Sequence, residues 1–275
     1  MSNGIAGIDH IIVGVRDLET ARRGWQRLGF TLTSRGRHIG QGTANYCIMF
    51  PRDYLELLGF VERDEHAHRL ETFLAQHEGA MSLAFAPERD AEATAAALVA
   101  RGLHPSPPRA LGRALELPDG SVTPRFSLLN LPPEETPALD CFICGQLTPE
   151  LVRRPEWLTH PNGVTGIAAV HLVADDPATL APSYCRLFGA ENVAATGAGI
   201  AVDTGRNRLV FSRPALSGGE IPPPAITALE LRVASRAAAA AHLKGAGIAF
   251  MELPDGRLSV SPAQANGATL LLSEG

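Results

Sequence analysis

The sequence lacks several features that would define its class at once. Four cysteines in 275 residues are too few for a disulfide scaffold. There is no run of about 18 apolar residues, so no membrane-spanning helix is predicted. The formal net charge is −5, which argues against nucleic acid or an anionic membrane as the main partner. The opening MSNGIAGIDH has neither the basic nor the apolar region of a secretory signal, so we expect a cytoplasmic protein.

Length and composition predict two globular domains. At about 100–200 residues per domain the chain has room for two, and 45% hydrophobic residues suffice for a sizeable core. Cys141 and Cys144 form a C-x-x-C pattern within an apolar run that favours a strand. Because side chains three apart on a strand point to opposite faces, the two sulfurs should not bind one metal. We therefore expect four reduced thiols.

A structural repeat organises the chain. Four times, an apolar run leads to a helix-capping residue, a helical segment and a glycine 12 or 13 residues after the cap. Three strand-like runs follow each of these helices, so the repeated unit is βαβββ. The cap and glycine pairs are Asp17 and Gly29, Asp90 and Gly102, Asp176 and Gly189, and Ser235 and Gly247.

This paired βαβββ unit resembles the vicinal oxygen chelate superfamily, which includes glyoxalase I, extradiol dioxygenases and bleomycin-resistance proteins. The resemblance is sharpest in GRHIGQGTAN from Gly36, YLELL from Tyr54 and HPNG from His160, which look like the glyoxalase-like subfamily. It implies an α+β fold, with four βαβββ modules paired into two curled half-barrel cups.

The repeat also sets the expected domain boundaries. Residues 1–145 hold modules one and two, residues 146–163 form a Pro-rich linker, and residues 164–275 hold the second pair. We expect the second pair to be non-catalytic, since it lacks the carboxylate found on the last strand of the first module. Each site should be complete within one chain, whether or not the chain also forms a homodimer.

His10 and Glu56 are the strongest candidates for a site. Alternation places His10 opposite the helix-packing residues Ile11 and Val13. Glu56 interrupts an apolar strand, where an unpaired carboxylate would be costly. The resemblance implies that these two are metal ligands, because the superfamily carries a His on the first strand and a Glu on the last strand of a module. Such ligands suit one divalent ion of zinc, iron, manganese or nickel.

Further residues surround this pair in the predicted first cup. Glu56 and His38 are candidate proton-transfer groups, and Thr43 and Asn45 lie where the chain passes the rim. Cys144 is the counterpart of Glu56 in the second module, where Ser82 or Leu83 replaces the expected histidine. His160 and Asn162, at the end of the linker, are expected over the mouth of the cup. The candidate substrate-binding residues are Thr43, Asn45, Cys144, His160 and Asn162.

Two functions remain open from the sequence. The first is a metal-dependent enzyme of the lyase, isomerase or dioxygenase type, which binds neighbouring oxygens of a small molecule and stabilises an enolate or oxyanion. The second is a metal-free module that sequesters a small hydrophobic compound, as bleomycin-resistance proteins do. Elsewhere, we predict that His171 pairs with Glu230 in the second cup, and that the charged run at residues 62–68 is a solvated surface.

Overall fold

A computed structural model describes residues 3–62, 67–214 and 222–275. It confirms the four βαβββ modules. The first helix begins after Asp17, whose carboxylate accepts a hydrogen bond from the Thr20 N–H at 2.7 Å. It ends near Gly29, whose φ of +89° is the left-handed conformation expected of a terminating glycine. The first module comprises β1 (Ile5–Gly14), α1 (Leu18–Arg27), β2 (Gly36–His38), β3 (Thr43–Met49) and β4 (Tyr54–Phe60).

One additional helix separates the first two modules. This helix, α2 (His68–Gln76), starts after Ala67 without any side-chain cap, so no capping signal in the sequence announces it. Residues 63–66 of the charged run lie outside the described residues. The second module comprises β5 (Gly79–Pro87), α3 (Ala91–Ala100), β6 (Arg109–Leu117), β7 (Gly120–Val122), β8 (Arg125–Asn130) and β9 (Cys141–Gln146).

The second half of the chain repeats the same order of elements. The helix predicted after Asp176 begins instead as a 3₁₀ turn, Pro177–Leu180, which leads into α4. The third module comprises β10 (Val164–Val173), α4 (Ala181–Phe188), β11 (Val193–Ala195), β12 (Gly199–Asp203) and β13 (Arg208–Ser212). The fourth comprises β14 (Ala225–Val233), α5 (Arg236–Gly245), β15 (Phe250–Glu252), β16 (Leu258–Val260) and β17 (Thr269–Glu274).

Each pair of modules forms one curled sheet. The first sheet has the order β2-β3-β4-β1-β5-β9-β8-β6-β7, and an additional β2–β6 pairing joins its two ends. The second sheet has the order β11-β12-β13-β10-β14-β17-β16-β15. In each sheet the first strands of the two modules pair antiparallel at the centre, as β1 with β5 and β10 with β14. The first sheet therefore closes into a cup whose concave side can enclose a ligand.

The helix-facing sides of the two sheets share one continuous hydrophobic core. The rings of Phe85 on β5 and Phe188 on α4 meet within it, with centroids 5.4 Å apart. Cys141 belongs to this core, whereas Cys144 belongs to a small apolar cluster on the concave side of the first sheet. The two thiols therefore lie on opposite faces, and all four cysteines are free.

The linker packs against the first sheet through its apolar side chains. Val152 and Trp157 are buried in a cluster with Met49 and Tyr54. This packing brings Arg153 close to β1, where it lies 3.8 Å from Asp9. In the described parts of the chain, no helix is long and apolar enough to cross a membrane.

Asp53 joins the two sheets through buried hydrogen bonds. Its carboxylate accepts from the Ile167 N–H at 3.0 Å and from the Asn207 side chain at 3.4 Å. Burial raises the pKa of Asp53 to about 6, against an ordinary value of 3.8. The folded state therefore binds a proton here more tightly than the unfolded state does.

Asp53→Asn should remove one pH-dependent part of the stability. Because the pKa of Asp53 is higher in the folded state, its protonation stabilises the fold. This contribution is fully present below pH 4 and is lost as the pH rises through 6. The unfolding free energy of the wild type minus that of Asp53→Asn should therefore fall by roughly 1–3 kcal/mol between pH 4 and pH 7. Denaturant titrations of both proteins between pH 4 and pH 7 measure this difference in unfolding free energy. A difference that stays constant with pH would contradict the burial of an ionisable Asp53.

Candidate active site

The concave side of the first sheet encloses a cavity of about 320 Å³. It brings together six of the predicted residues: His10, His38, Thr43, Asn45, Glu56 and Cys144. The rest of the wall mixes apolar side chains with polar ones, among them Arg69 and Arg109, and α2 covers one end of it. The apolar lining consists of Ile12, Leu58, Leu70, Met81, Leu111, Phe126, Leu128 and Phe142.

His10 and Glu56 face each other from neighbouring parallel strands. The register of β1 and β4 sets His10 beside Tyr54 and Ile12 beside Glu56. The Nε2 atom of His10 lies 3.5 Å from Oε2 of Glu56, and both side chains are buried. Tyr54 stacks on the imidazole with ring centroids 4.4 Å apart, which fixes the plane of the ring.

Asp9 completes the site, although strand alternation predicts that it points away from His10. The pairing of β1 with β5 shifts register between Ile8 and His10, and such a bulge re-aims side chains. As a result, Nδ1 of His10 lies 2.7 Å from Oδ2 of Asp9, which accepts its hydrogen bond. Gln146 donates to the same carboxylate oxygen at 2.8 Å. The carboxylate is thereby held, and it turns Nε2 of His10 towards the cavity.

Asn45 and His38 contact the other oxygen of Glu56. The amide of Asn45 donates to Oε1 at 2.5 Å, and Nε2 of His38 lies 3.6 Å from the same oxygen. On its far side, His38 is fixed by Thr43, whose hydroxyl lies 2.9 Å from Nδ1. These contacts give Asn45, an unusual residue within a strand, a hydrogen-bonding role. They also connect a series of polar side chains, namely Asp9, His10, Glu56, His38 and Thr43.

The surrounding groups keep Glu56 ionised despite its burial. Burial alone raises the pKa of the Glu56 carboxyl, and the nearby imidazoles of His38 and His10, when protonated, act in the opposite direction. The guanidinium of Arg113 and the hydrogen bond from Asn45 lower it further, so the pKa of Glu56 lies below its ordinary value. Burial lowers the pKa of His38. A carboxylate and a neutral imidazole are the forms needed for metal ligation or for accepting a proton.

Arg113 is a buried cation that the sequence did not single out. It is 2% exposed, and its guanidinium donates to the sulfur of Cys47 at 2.8 Å. No carboxylate of a described residue lies within ion-pair distance of it. Its Nε atom has no hydrogen-bond partner, and neither has Oδ1 of Asn45 or Oγ of Ser82. These three residues all line the cavity, so it offers hydrogen-bonding capacity that the protein itself does not use.

His160 and Asn162 do not line the cavity, contrary to the position expected for them over its mouth. The ring of His160 accepts from the Thr31 N–H at 3.1 Å and lies 3.0 Å from the Met49 carbonyl. The amide of Asn162 donates to the Leu28 carbonyl at 2.9 Å. Because their polar atoms are engaged by the backbone, both residues fasten the end of the linker and have no group left for a substrate.

The separation of His10 and Glu56 fits a shared metal ion. Two ligand atoms bonded to one ion at about 2.1 Å each lie about 3–3.5 Å apart at tetrahedral or octahedral angles, and here Nε2 and Oε2 are 3.5 Å apart. The bond from His10 to Asp9 is the contact that orients a metal-binding histidine. The second module supplies few further ligands, since its strands present Ser82 and Phe142 to the cavity.

Cys144 belongs to a second set of potential ligands. Among the described residues, Asp9, His10 and Cys144 have donor atoms that all lie within 4.8 Å of one another. However, burial raises the pKa of the Cys144 thiol well above its ordinary value, whereas a metal binds the thiolate. This set would also break the hydrogen bond that orients His10. The geometry therefore favours His10 with Glu56.

The two central strands of the second sheet, β10 and β14, carry an ion pair. Nε2 of His171 lies 2.9 Å from Oε2 of Glu230, as predicted, and Arg257 lies 3.0 Å from the same oxygen. The bond from His171, together with the nearby charge of Arg257, lowers the pKa of Glu230 to about 2. Glu230 is thus already neutralised by two partners.

Two cups built from paired βαβββ modules are the fold of the vicinal oxygen chelate superfamily. A family model described as a glyoxalase-like domain matches residues 8–188, so the chain belongs to the glyoxalase-like domain family. No curated protein matches the sequence.

Solved structures of similar fold cover nearly the whole chain. A hypothetical protein from Staphylococcus aureus has a TM-score of 0.70 at 13% identity, covering 98% of this chain and 99% of that one. A mutant of 4-hydroxymandelate synthase from Streptomyces coelicolor has a TM-score of 0.60 at 13% identity, covering 99% and 92%. A fusion of a xylose isomerase-like TIM barrel with a 4-hydroxyphenylpyruvate dioxygenase has a TM-score of 0.61 at 14% identity, covering 99% and 49%. At these identities the likeness shows the fold.

Asn45→Ala should destabilise the protein by about 1–3 kcal/mol, because the buried Glu56 carboxylate would lose a charge-assisted hydrogen bond. Denaturant unfolding at pH 7 measures the loss. Asn130→Ala is the matched control, since Asn130 is exposed at the rim of the same cavity, and it should change the stability by less than about 0.5 kcal/mol. Equal losses in the two variants would contradict the role assigned to Asn45.

Proposed function

We propose that this protein is an enzyme whose first cup binds one divalent metal ion through His10 and Glu56 and acts on a small molecule with two neighbouring oxygens. The observation that carries the proposal is the buried arrangement of Asp9, His10 and Glu56. Nε2 of His10 faces Oε2 of Glu56 at 3.5 Å, while Nδ1 is held by a carboxylate at 2.7 Å.

Each residue around the proposed metal site has a separate task. Asp9 fixes the tautomer and direction of the His10 ring, and Asn45 fixes the Glu56 carboxylate. The metal would polarise the two substrate oxygens and stabilise an enolate or another oxyanion as a Lewis acid. His38, with its lowered pKa, is placed to accept a proton, and Thr43 holds its other nitrogen.

The rest of the cavity recognises the substrate. Its apolar wall suits a short carbon skeleton, from which water is excluded. Asn45 and Thr43 supply polar contacts near the reacting centre, and Cys144 contributes to the wall. The buried Arg113 adds positive charge, which favours a substrate that is anionic or becomes so during the reaction. In the second cup, Glu230 is committed to its ion pair, which supports a non-catalytic role there.

A metal-free binding module is the second candidate. It is favoured by the small number of ligands, because the strands of the second module present Ser82 and Phe142 to the cavity, and neither side chain is a usual metal ligand. In that case the cavity would hold a small, mainly apolar compound, and Glu56 would remain balanced by the imidazoles and Arg113. The two candidates differ in metal content and in the effect of Glu56→Gln.

Glu56→Gln should lower the affinity for metal by about tenfold or more, since it removes the ligand charge and keeps the shape. Asp9→Asn should lower it by roughly 10- to 100-fold through the loss of orientation of His10. Protein purified without a His tag is stripped of metal and titrated with Mn²⁺, Co²⁺, Ni²⁺ and Zn²⁺, with bound metal measured by mass spectrometry.

His171→Gln is the control for this titration, because His171 occupies the corresponding strand in the second sheet. It should leave metal binding unchanged. A wild-type protein that binds none of these ions with a one-to-one stoichiometry, or an unchanged affinity in Glu56→Gln, would contradict the metal proposal and favour the binding module.

A further inference from the structure

A second, positively charged pocket lies on the other side of Asp9. It has a volume of about 260 Å³ and is bordered by Asp9, Cys144 and Gln146, of which Cys144 also borders the main cavity. Four arginine residues line it, and we call it the four-arginine pocket. These residues are Arg52, Arg89, Arg153 and Arg206.

Two of the four arginines are fixed in place and converge on one atom. Nη2 of Arg153 lies 3.3 Å, and Nη1 of Arg206 lies 3.4 Å, from the backbone carbonyl oxygen of Arg52. Arg153 also donates to the Phe50 carbonyl at 2.7 Å, and Arg206 to the Ala6 carbonyl at 2.5 Å. Neutral carbonyls orient these guanidiniums without neutralising them, so two like charges are held close together.

The other two arginines are unpaired at the rim. Arg52 and Arg89 are exposed, and neither side chain makes a hydrogen bond or ion pair with a residue that the structure describes. Exposed arginines are common by themselves. Here, however, Arg52 and Arg89 border the same pocket as Arg153 and Arg206. Four arginines that can donate charge-assisted hydrogen bonds therefore surround the four-arginine pocket.

The carboxylate in the pocket cannot balance this charge. Asp9 is the acidic residue of the lining, and it is 2% exposed. Its Oδ2 already accepts from His10 and Gln146, and its Oδ1 lies 3.8 Å from Arg153. The described lining therefore carries four positive charges and one engaged negative charge.

We propose that the four-arginine pocket binds a phosphate group, either as free phosphate or as part of a small phosphate ester. Phosphate carries close to two negative charges at neutral pH and presents several acceptor oxygens, which matches several forked donors better than a single carboxylate does. The site is distinct from the metal cavity and does not depend on the function proposed for it.

Isothermal titration with inorganic phosphate and with glycerol 3-phosphate, at low ionic strength, tests this site. Saturable one-to-one binding is expected, and Arg52→Gln combined with Arg89→Gln should weaken it by about tenfold or more. These side chains have no described partner, so the variant should fold. Equal affinities would identify phosphate itself as the ligand, and tighter binding of the ester would identify an organic phosphate.

Arg27→Gln combined with Arg37→Gln is the matched control, because it removes the same charge from exposed positions that border neither the four-arginine pocket nor the main cavity. It should leave the affinity within about twofold of the wild type, since distant surface charges are screened by salt. Absence of saturable binding to both probes, or equal weakening in the two double variants, would overturn the proposal.

Discussion

The first cup depends on the burial of one carboxylate. Glu56 sits in an apolar strand and is 4% exposed, a position in which an unpaired charge would be very costly. The cup offsets this cost with an amide from Asn45 and with the positive or ionisable groups of His10, His38 and Arg113. A set of groups that stabilises a carboxylate in this way also prepares it to ligate a cation, so stability and the proposed chemistry share one origin.

A single β-bulge converts this pairing into an oriented site. The register shift between Ile8 and His10 brings Asp9 to the same side as the imidazole, and Asp9 then fixes which nitrogen faces the cavity. On the other side of Asp9, Arg153 is held by the linker and lies 3.8 Å from its carboxylate. The bulge thus places a negative group between the proposed metal cavity and the four-arginine pocket.

The sequence predicts what is local and periodic. Caps and terminal glycines bound the helices because they satisfy the free backbone groups of the helix ends, and alternation places His10 and Glu56 on the concave side. Prediction from the sequence fails where contacts between distant parts of the chain determine the position of a side chain. Asp9 is not singled out, because a bulge breaks the alternation that would otherwise point it away from His10. The helix α2 is missed because no side chain caps it. His160 is expected over the cavity but lies outside it, because its nitrogens bond the backbone. Arg113 stands in an ordinary strand, and nothing in its neighbours indicates burial.

The most direct test of the central claim locates the metal itself. Crystals of the protein loaded with Mn²⁺ or Co²⁺ and measured at the absorption edge of that metal would yield an anomalous difference map. The account predicts one strong peak in the first cup, about 2.0–2.3 Å from Nε2 of His10 and from the carboxylate of Glu56, with Asp9 still bonded to Nδ1. A fully loaded crystal whose peak lies at Cys144, in the second cup or outside the cavity would contradict it.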